Sequence, residues 1–179
     1  MSELKIITAP DLFLRNKSVD VANFNKDTQN FMDDMLKSMY KNKGVGLAAV
    51  QVGVLQNIIV IDMQDLKNED EIIRDENFYP LFLVNPSVQI ASQETISAEE
   101  GCLSLPEQRI ALARPEKITV KFQNYHNVET ILEADGWLSR AIQHEMDHLR
   151  GKLLIDYLSI VKKDLVTRKL AKIKNSADL

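Results

Sequence analysis

Cysteine, histidine and long apolar segments are scarce in this chain. Its 179 residues include one cysteine and three histidines. A single cysteine excludes a disulfide within the chain and is typical of proteins from a reducing compartment. No segment approaches the ~20 consecutive apolar residues of a membrane-spanning helix, and the N-terminal residues lack the apolar core of a signal peptide. We therefore expect a cytoplasmic protein with no membrane interaction.

An excess of positive charge is also absent. Lys and Arg number 22 against 26 for Asp and Glu, which gives a net charge of −4. This balance does not suggest a broad nucleic-acid-binding surface, so specific DNA binding is not expected. The length and the hydrophobic fraction of 45% are those of one globular domain. The longest polar stretch covers residues 64–77, where we expect an exposed acidic loop or hairpin insertion.

The hydrophobic pattern indicates three helices and four strands. Apolar residues recur at helical spacing over 26–41 and 137–150, and again from about Asp156 onwards. The third helix has an apolar side formed by Leu158, Val161, Leu165, Leu170 and Ile173. Short segments rich in β-branched residues predict strands at 57–63, 81–85, 117–123 and 128–134. A helix, then strands, then helices indicates an α+β fold.

The sharpest motif is an HExxH sequence on the second predicted helix, His144-Glu145-Met146-Asp147-His148. Residues four apart share one helix face, so both imidazoles can bind one metal ion. Glu145 lies ~80° round the helix from the midpoint of the two histidines. That direction does not suit a third ligand, but it suits contact with a water molecule at the ion. The spacing therefore predicts two ligands and a general base.

A catalytic metal site of this kind needs a third protein ligand and an open position. No glutamate follows Glu145 in the chain, and the last histidine of an extended HExxHxxGxxH motif is replaced by Leu154. Asp156 could serve in a rarer arrangement, whereas Cys102, preceded by Gly101, is the stronger candidate. The competing role for Cys102 is that of a nucleophile with a histidine base. That role leaves the second histidine and Glu145 without a function.

A glycine-rich segment, Gly44-Val45-Gly46-Leu47-Ala48, lies shortly before Gln51. It is not followed by the Lys and Ser/Thr pair of a phosphate-binding loop. The small residues instead favour a loop that lets the backbone of a substrate approach closely. Gln51 can place an amide donor beside that substrate.

The three motifs together resemble those of the peptide deformylase family. GVGLAAVQ, EGCLS and QHEMDHLRG occur in the family's order, and the likeness extends to APDLFLR, LPEQR, RPEKITV and LEADGW. The resemblance covers most of the chain. It implies short antiparallel β-sheets packed around a central HExxH helix, with an N-terminal and a C-terminal helix. It also implies a single catalytic domain over residues 1–179.

The activity that the resemblance implies is removal of the N-formyl group from the formylmethionine of newly made peptides, with release of formate. Cys102, His144 and His148 would hold one divalent metal ion. Hydroxide at that ion would attack the formyl carbonyl, with Glu145 as general acid and base. A thiolate with two imidazoles suits Zn or Fe(II). The resemblance favours Fe(II), with Zn, Ni or Co as substitutes.

The resemblance also assigns the residues that would contact the substrate. Gln51 and the backbone N–H of Leu103 would form the oxyanion hole. The residues that would line the peptide site are Val45, Gly46, Gly101, Arg109, Trp137, Arg140 and Ala141. The last three of these stand where the family builds its pocket for the methionine side chain. The expected partners are N-formylmethionyl nascent peptides and, through the basic C-terminal helix, the ribosome.

Two other functions remain open at this point. A zinc endopeptidase would use a downstream glutamate or histidine as its third ligand, and the chain has neither in the right place. A non-catalytic metal or redox-sensing domain would need a fourth protein ligand or a second cysteine. The chain contains one cysteine, so this alternative is also less favoured.

Overall fold

The chain folds into helices and antiparallel sheets, in agreement with the predicted α+β class. A computed structural model describes residues 4–63 and 80–177. The acidic insertion predicted at 64–77 lies outside these described residues. The helices are α1 (Lys26–Lys41), α2 (Gly136–Leu149) and α3 (Ile160–Ala177). The strands are β1 (Gly46–Ala48), β2 (Ile58–Ile61), β3 (Leu81–Ala91), β4 (Thr95–Gly101), β5 (Arg109–Pro115), β6 (Lys117–Gln123) and β7 (Glu129–Asp135).

The strands of the described residues form two sheets. Five of them make one sheet in the order β1-β2-β3-β6-β7, and β4 pairs with β5 in a separate two-stranded sheet. Every pairing is antiparallel. The four predicted strands correspond to β2, β3, β6 and β7. Strand β3 continues to Ala91, beyond the predicted end at residue 85, and its pairing with β6 shifts register between Val84 and Ser87 and again between Val88 and Ile90.

Three strands were missed by the sequence prediction, each for a different reason. Strand β1 has only three residues, all of them buried, and therefore shows no alternation. Strand β4 is polar and mostly exposed, so it lacks an apolar face. Strand β5 does alternate, with Ile110, Leu112 and Arg114 pointing inwards. Because the inward Arg114 is charged, β5 does not show alternating apolar residues in its sequence.

Strand β2 is the centre of the core because both of its faces are covered. Ile58 and Val60 pack with the methionines of α1, whereas Ile59 and Ile61 pack with the apolar side of α2. Complete burial explains why β2 is continuously apolar instead of alternating. A fully buried side chain of this size contributes about 1.5–3 kcal/mol relative to an exposed one. This packing fixes α2, and with it the HExxH motif, against the five-stranded sheet.

The third helix differs from its prediction. Residues Leu154–Tyr157 form a single 3₁₀ turn, and α3 begins only at Ile160. Val161 and Leu165 were assigned to the apolar side, but they are 71% and 61% exposed, so this part of the prediction was wrong. The helix instead contacts the rest of the chain through Leu170, which is 1% exposed, with support from partly buried neighbours. None of the helices of residues 4–63 and 80–177 is long and apolar enough to cross a membrane.

Gly151 follows the last residues of α2 in a backbone conformation that only glycine adopts without strain. Its φ is +72°, and its N–H donates to the carbonyl of His148. A Cβ at this position would also overlap the backbone carbonyl of Arg15. We expect Gly151→Ala to lower the free energy of unfolding by at least about 2 kcal/mol, from the left-handed backbone and the overlap together. Chemical denaturation of the purified variant measures this loss.

Gly53→Ala is the matched control for this prediction. Gly53 also has a positive φ, +86°, but the nearest atom to an added Cβ is a side-chain carbon of Ile7 at 3.9 Å. We expect this variant to lose only about 1 kcal/mol, the cost of the backbone conformation alone. Equal losses for the two variants would contradict the role given to the Arg15 contact.

Candidate metal centre

Helix α2 and the segment after β4 bring one thiol and two imidazoles together. His144 and His148 lie one turn apart on α2 with their ring centroids 5.1 Å apart. The Sγ of Cys102 lies 3.2 Å from Nε2 of His148. The candidate ligand atoms of these three residues all lie within 4.8 Å of one another. No other group of three such residues occurs within residues 4–63 and 80–177.

The chemistry of this cluster suits a divalent cation. Both histidines are buried, and a thiolate with two imidazoles is a typical ligand set for Zn or Fe(II). Burial alone would lower the pKa of His144. Hydrogen bonds with Cys102 and Glu100 outweigh burial and raise that pKa well above its ordinary value. For His148, burial and the nearby charge of His144 lower the pKa well below its ordinary value, so this imidazole is neutral and can bind an ion through a ring nitrogen.

Asp156, the alternative third ligand, is engaged elsewhere. Its carboxylate pairs with Arg15, accepts a hydrogen bond of 2.6 Å from Nζ of Lys163 and another of 2.8 Å from the backbone N–H of Leu153. These contacts anchor the 3₁₀ turn after α2, and Asp156 does not belong to the cluster. The geometry therefore favours Cys102 over Asp156 as the third ligand.

Glu145 lies beside the cluster in a closely fitted position. Its side chain is buried, and one carboxylate oxygen, Oε2, has no hydrogen-bond partner. The other oxygen lies against Gly46, where an added Cβ would overlap it. Burial raises the pKa of Glu145 to about 7. A carboxyl group with that pKa can both accept and donate a proton near neutral pH.

Gln51 is held in a fixed orientation next to Cys102. Its Oε1 accepts a hydrogen bond of 2.8 Å from the N–H of Ala48, and its Nε2 donates to Oγ of Ser104 at 3.0 Å. The same Nε2 lies 3.7 Å from Sγ of Cys102. Leu103 lies close by and packs against Gly44, where an added Cβ would come within 2.6 Å of its Cδ1. Gly44 therefore allows Leu103 to reach the site.

A buried carboxylate that was not predicted from the sequence supports His144. Glu100 is 5% exposed and its Oε2 lies 2.9 Å from Nδ1 of His144. Arg114 donates to Glu100 through Nε at 2.6 Å and Nη2 at 3.0 Å, and Arg140 donates through Nη1 at 2.6 Å. Burial would raise the pKa of Glu100, but the hydrogen bond with His144 and the ion pair with Arg114 lower it to about 2. Glu100 thus stays ionised and orients the His144 ring.

Cys102, His144 and Glu145 line a cleft of about 880 Å³. Gly101 and Arg109 are exposed at its edge, where they pair across β4 and β5. Trp137 is 55% exposed, and the guanidinium of Arg140 lies 5.8 Å from its ring centroid. All seven residues that the sequence assigned to the peptide site line this cleft, namely Val45, Gly46, Gly101, Arg109, Trp137, Arg140 and Ala141.

Two of these seven have a further structural task. The guanidinium of Arg140 is occupied by Glu100, by the carbonyl of Leu112 and by the carbonyl of Ile96. Its N–H groups therefore face the protein, and its contribution to the cleft comes from the rest of the side chain. Gly46 leaves the space that Glu145 fills.

Comparison with known proteins identifies close relatives over nearly the whole chain. The family model for polypeptide deformylase matches residues 3–164. Peptide deformylase 1 of Rickettsia conorii is 56% identical over 176 residues, which cover 98% of this chain and 99% of that protein. The peptide deformylase of Orientia tsutsugamushi strain Ikeda is 51% identical, with 99% and 98% covered.

Solved structures agree with these relatives. The crystal structure of peptide deformylase from Ehrlichia chaffeensis matches with a TM-score of 0.89 and 37% identity, covering 99% of this chain and 100% of that one. A structure of the Ehrlichia chaffeensis protein in complex with actinonin matches with a TM-score of 0.85 and 40% identity, covering 96% and 98%.

The cluster geometry predicts one metal ion per chain, held by three residues. We expect Cys102→Ser and His148→Ala each to weaken Co(II) or Zn(II) binding by more than ~100-fold. That loss exceeds the ~10–100-fold range for residues that only support a ligand. His126→Ala is the control, because His126 is exposed and lies outside the cluster. Metal titration of the apo protein measures all three, and wild-type affinity in Cys102→Ser would remove Cys102 from the ligand set.

Proposed function

The chain belongs to the polypeptide deformylase family and is a metal-dependent hydrolase that removes N-formyl groups from nascent peptides, and we propose that the Cys102, His144 and His148 cluster is the centre of its active site. The observation that carries this proposal is the position of the cluster beside Glu145 at the cleft. Neither a zinc endopeptidase nor a non-catalytic metal or redox-sensing domain is favoured by these relatives.

In the proposed mechanism, the metal ion activates the reactants and Glu145 transfers the proton. When bound, a divalent ion supplies a Lewis acid that polarises the formyl carbonyl and activates water. Glu145 accepts the proton of the attacking water on its carboxylate and passes it to the leaving amine. The pKa of about 7 makes both transfers accessible at neutral pH.

The oxyanion that forms on the formyl group would be stabilised by Nε2 of Gln51 and the N–H of Leu103. Ala48 and Ser104 fix the Gln51 amide before the substrate arrives, so little reorganisation is needed during the reaction. Removal of one such donor typically costs ~2.7–4 kcal/mol of transition-state stabilisation. This magnitude makes the orientation of Gln51 a substantial part of the catalytic effect.

The cleft walls would position the peptide. Val45, Gly46 and Gly101 would approach the peptide backbone, and Arg109 would contact it at the open edge. Trp137 and Ala141 would enclose the methionine side chain, together with the carbon stem of Arg140. The Arg140 guanidinium is held by Glu100, so this wall is rigid.

Fe(II) is the ion that we propose for the working enzyme, with Zn, Ni or Co as substitutes. The support is the mixed thiolate and imidazole ligand set, which accepts all of these ions, together with the family resemblance. We further propose a single catalytic domain over residues 1–179. A cytoplasmic location would suit both the substrate, which is a peptide just made by the ribosome, and the single cysteine.

Contact with the ribosome is a further part of the proposal. Helix α3 carries the basic residues Lys162, Lys163, Arg168, Lys169, Lys172 and Lys174. Lys162 and Lys172 are exposed, whereas Arg168 pairs with Asp164 and Lys169 with Glu107. Basic side chains of this kind would contact RNA phosphates, so ribosome binding by the full chain should weaken as salt is raised.

Replacement of the general base tests the role of Glu145. We expect Glu145→Gln to keep the metal ion but to lose at least ~100-fold in turnover, because the amide preserves the shape and cannot accept the proton. The measurement is formate release from formyl-Met-Ala-Ser, with metal content determined on the same samples. Glu133→Gln is the control, since Glu133 is exposed on β7. Near wild-type turnover of Glu145→Gln would refute the assignment.

The metal proposal is tested by the decay of activity in air. Three protein ligands would leave Fe(II) accessible to O₂, and the thiolate of Cys102 could then be oxidised to sulfenic acid and beyond. We therefore expect the Fe(II) form to lose activity within hours, the Ni(II) form to lose less and the Zn(II) form to be stable. Initial rates measured against time in air decide this. Equal decay of the Fe and Ni forms would indicate unfolding or metal loss and would contradict the case for iron.

A further inference from the structure

Asp147, inside the HExxH motif, points away from the cluster and makes two strong contacts on its outer side. Its Oδ2 accepts a hydrogen bond of 2.9 Å from Nη1 of Arg114 and another of 2.7 Å from the hydroxyl of Tyr157. The Asp147 side chain is 14% exposed, whereas Tyr157 is 37% exposed. Tyr157 therefore covers Asp147 at the protein surface.

A continuous series of hydrogen bonds connects this surface contact to a candidate metal ligand. Arg114 bridges the two carboxylates, with Nη1 on Asp147 and with Nε and Nη2 on Glu100. Glu100 in turn contacts Nδ1 of His144 at 2.9 Å. The order is therefore Tyr157, Asp147, Arg114, Glu100 and His144, and each contact is a direct one.

The charges explain why the outer part of this series matters for the inner part. Glu100 is a single carboxylate between two arginines, Arg114 and Arg140. Asp147 supplies the second negative charge and holds Arg114 from the opposite side. A shift of Asp147 would allow the Arg114 fork to turn, and the bidentate contact that fixes the Glu100 carboxylate would be lost.

The Tyr157 hydroxyl is held in place independently of Asp147. The ring centroid lies 3.5 Å from Nζ of Lys152 and 5.5 Å from the guanidinium carbon of Arg114. The 3₁₀ turn that carries Tyr157 is anchored by Asp156, through Leu153, Lys163 and Arg15. The hydroxyl is thus a fixed donor to Asp147.

We infer that Tyr157 is a positioning residue for the metal centre. Its hydroxyl acts on the His144 ring through Asp147, Arg114 and Glu100. The inference depends on the proposed ligand set of Cys102, His144 and His148. Partners that orient a ligating histidine typically contribute ~10–100-fold to metal affinity. Because Tyr157 is separated from His144 by four successive contacts, we expect the lower end of that range.

The test is Tyr157→Phe, which removes the hydroxyl and keeps the ring with its cation contacts. We expect Co(II) to bind ~10-fold more weakly and to show altered absorption bands, since these bands report the geometry of the ligands. Asp147→Asn should weaken Co(II) binding at least as much. The double variant should lose less than the two single losses combined, because both residues act through one path.

Lys152→Met is the matched control. It removes a cation from the same Tyr157 ring and leaves the hydroxyl in place, so the Co(II) affinity and spectrum should stay at wild-type values. An equal loss in Lys152→Met would overturn the inference, because the effect would then come from general packing of the turn. Wild-type affinity and spectrum in Tyr157→Phe would overturn it as well.

The same titration separates this inference from the proposed function. Wild-type protein with the proposed ligands should show the charge-transfer absorption of a Co(II)–thiolate bond. Absence of that absorption would refute the ligand set. Its presence in the wild type, together with an unchanged Tyr157→Phe variant, would refute only the role of Tyr157.

Discussion

The buried carboxylate of Glu100 is the interaction on which the rest of the site depends. It joins three elements, because its donors come from Arg114 on β5 and from Arg140 and His144 on α2, while Glu100 itself lies on β4. An ion pair at this depth gains stability only when nearly every lone pair and proton is satisfied, and removal of one partner typically costs ~3–5 kcal/mol. The small β4–β5 sheet is thereby fixed against the HExxH helix, and Cys102 arrives beside the histidines.

The site residues that could be predicted from the sequence are those that lie close together along the chain. The spacing of His144 and His148 follows from the helical period alone, and the direction of Glu145 follows from the same geometry. Glu100 was not found, although it lies two residues before Cys102, because its role depends on Arg114 and His144, which are 14 and 44 residues away. No periodicity encodes such pairings, and an inward arginine on a strand resembles an exposed one until the fold is known.

For the fold, the positions of helices could also be predicted from local patterns, whereas the faces that they bury could not. The bounds of α1 agree with the prediction because Asn25 caps its first turn and buried methionines recur at helical spacing. The predicted apolar side of α3 differs from the observed one because an apolar residue in a helix need not be buried. Val161 and Leu165 are exposed, since tertiary packing selects the face that carries Leu170. The apolar pattern shows that a helix can form, whereas its orientation is decided by what the neighbouring elements cover.

The pKa values of two buried glutamates in this site are shifted in opposite directions, and their surroundings explain the difference. Glu100 receives donors from two arginines and a histidine. Burial would raise its pKa, but His144 and Arg114 lower it to about 2. Glu145 has no such donors to Oε2. Burial raises its pKa to about 7 against the opposing charge of His144, with a smaller increase from the negative charge of Glu100. One carboxylate is therefore fixed as a permanent anion that orients a ligand, and the other is free to exchange a proton. The negative charge of Glu100, which His144 and Arg114 keep ionised, is one of the effects that keep the pKa of Glu145 near neutral.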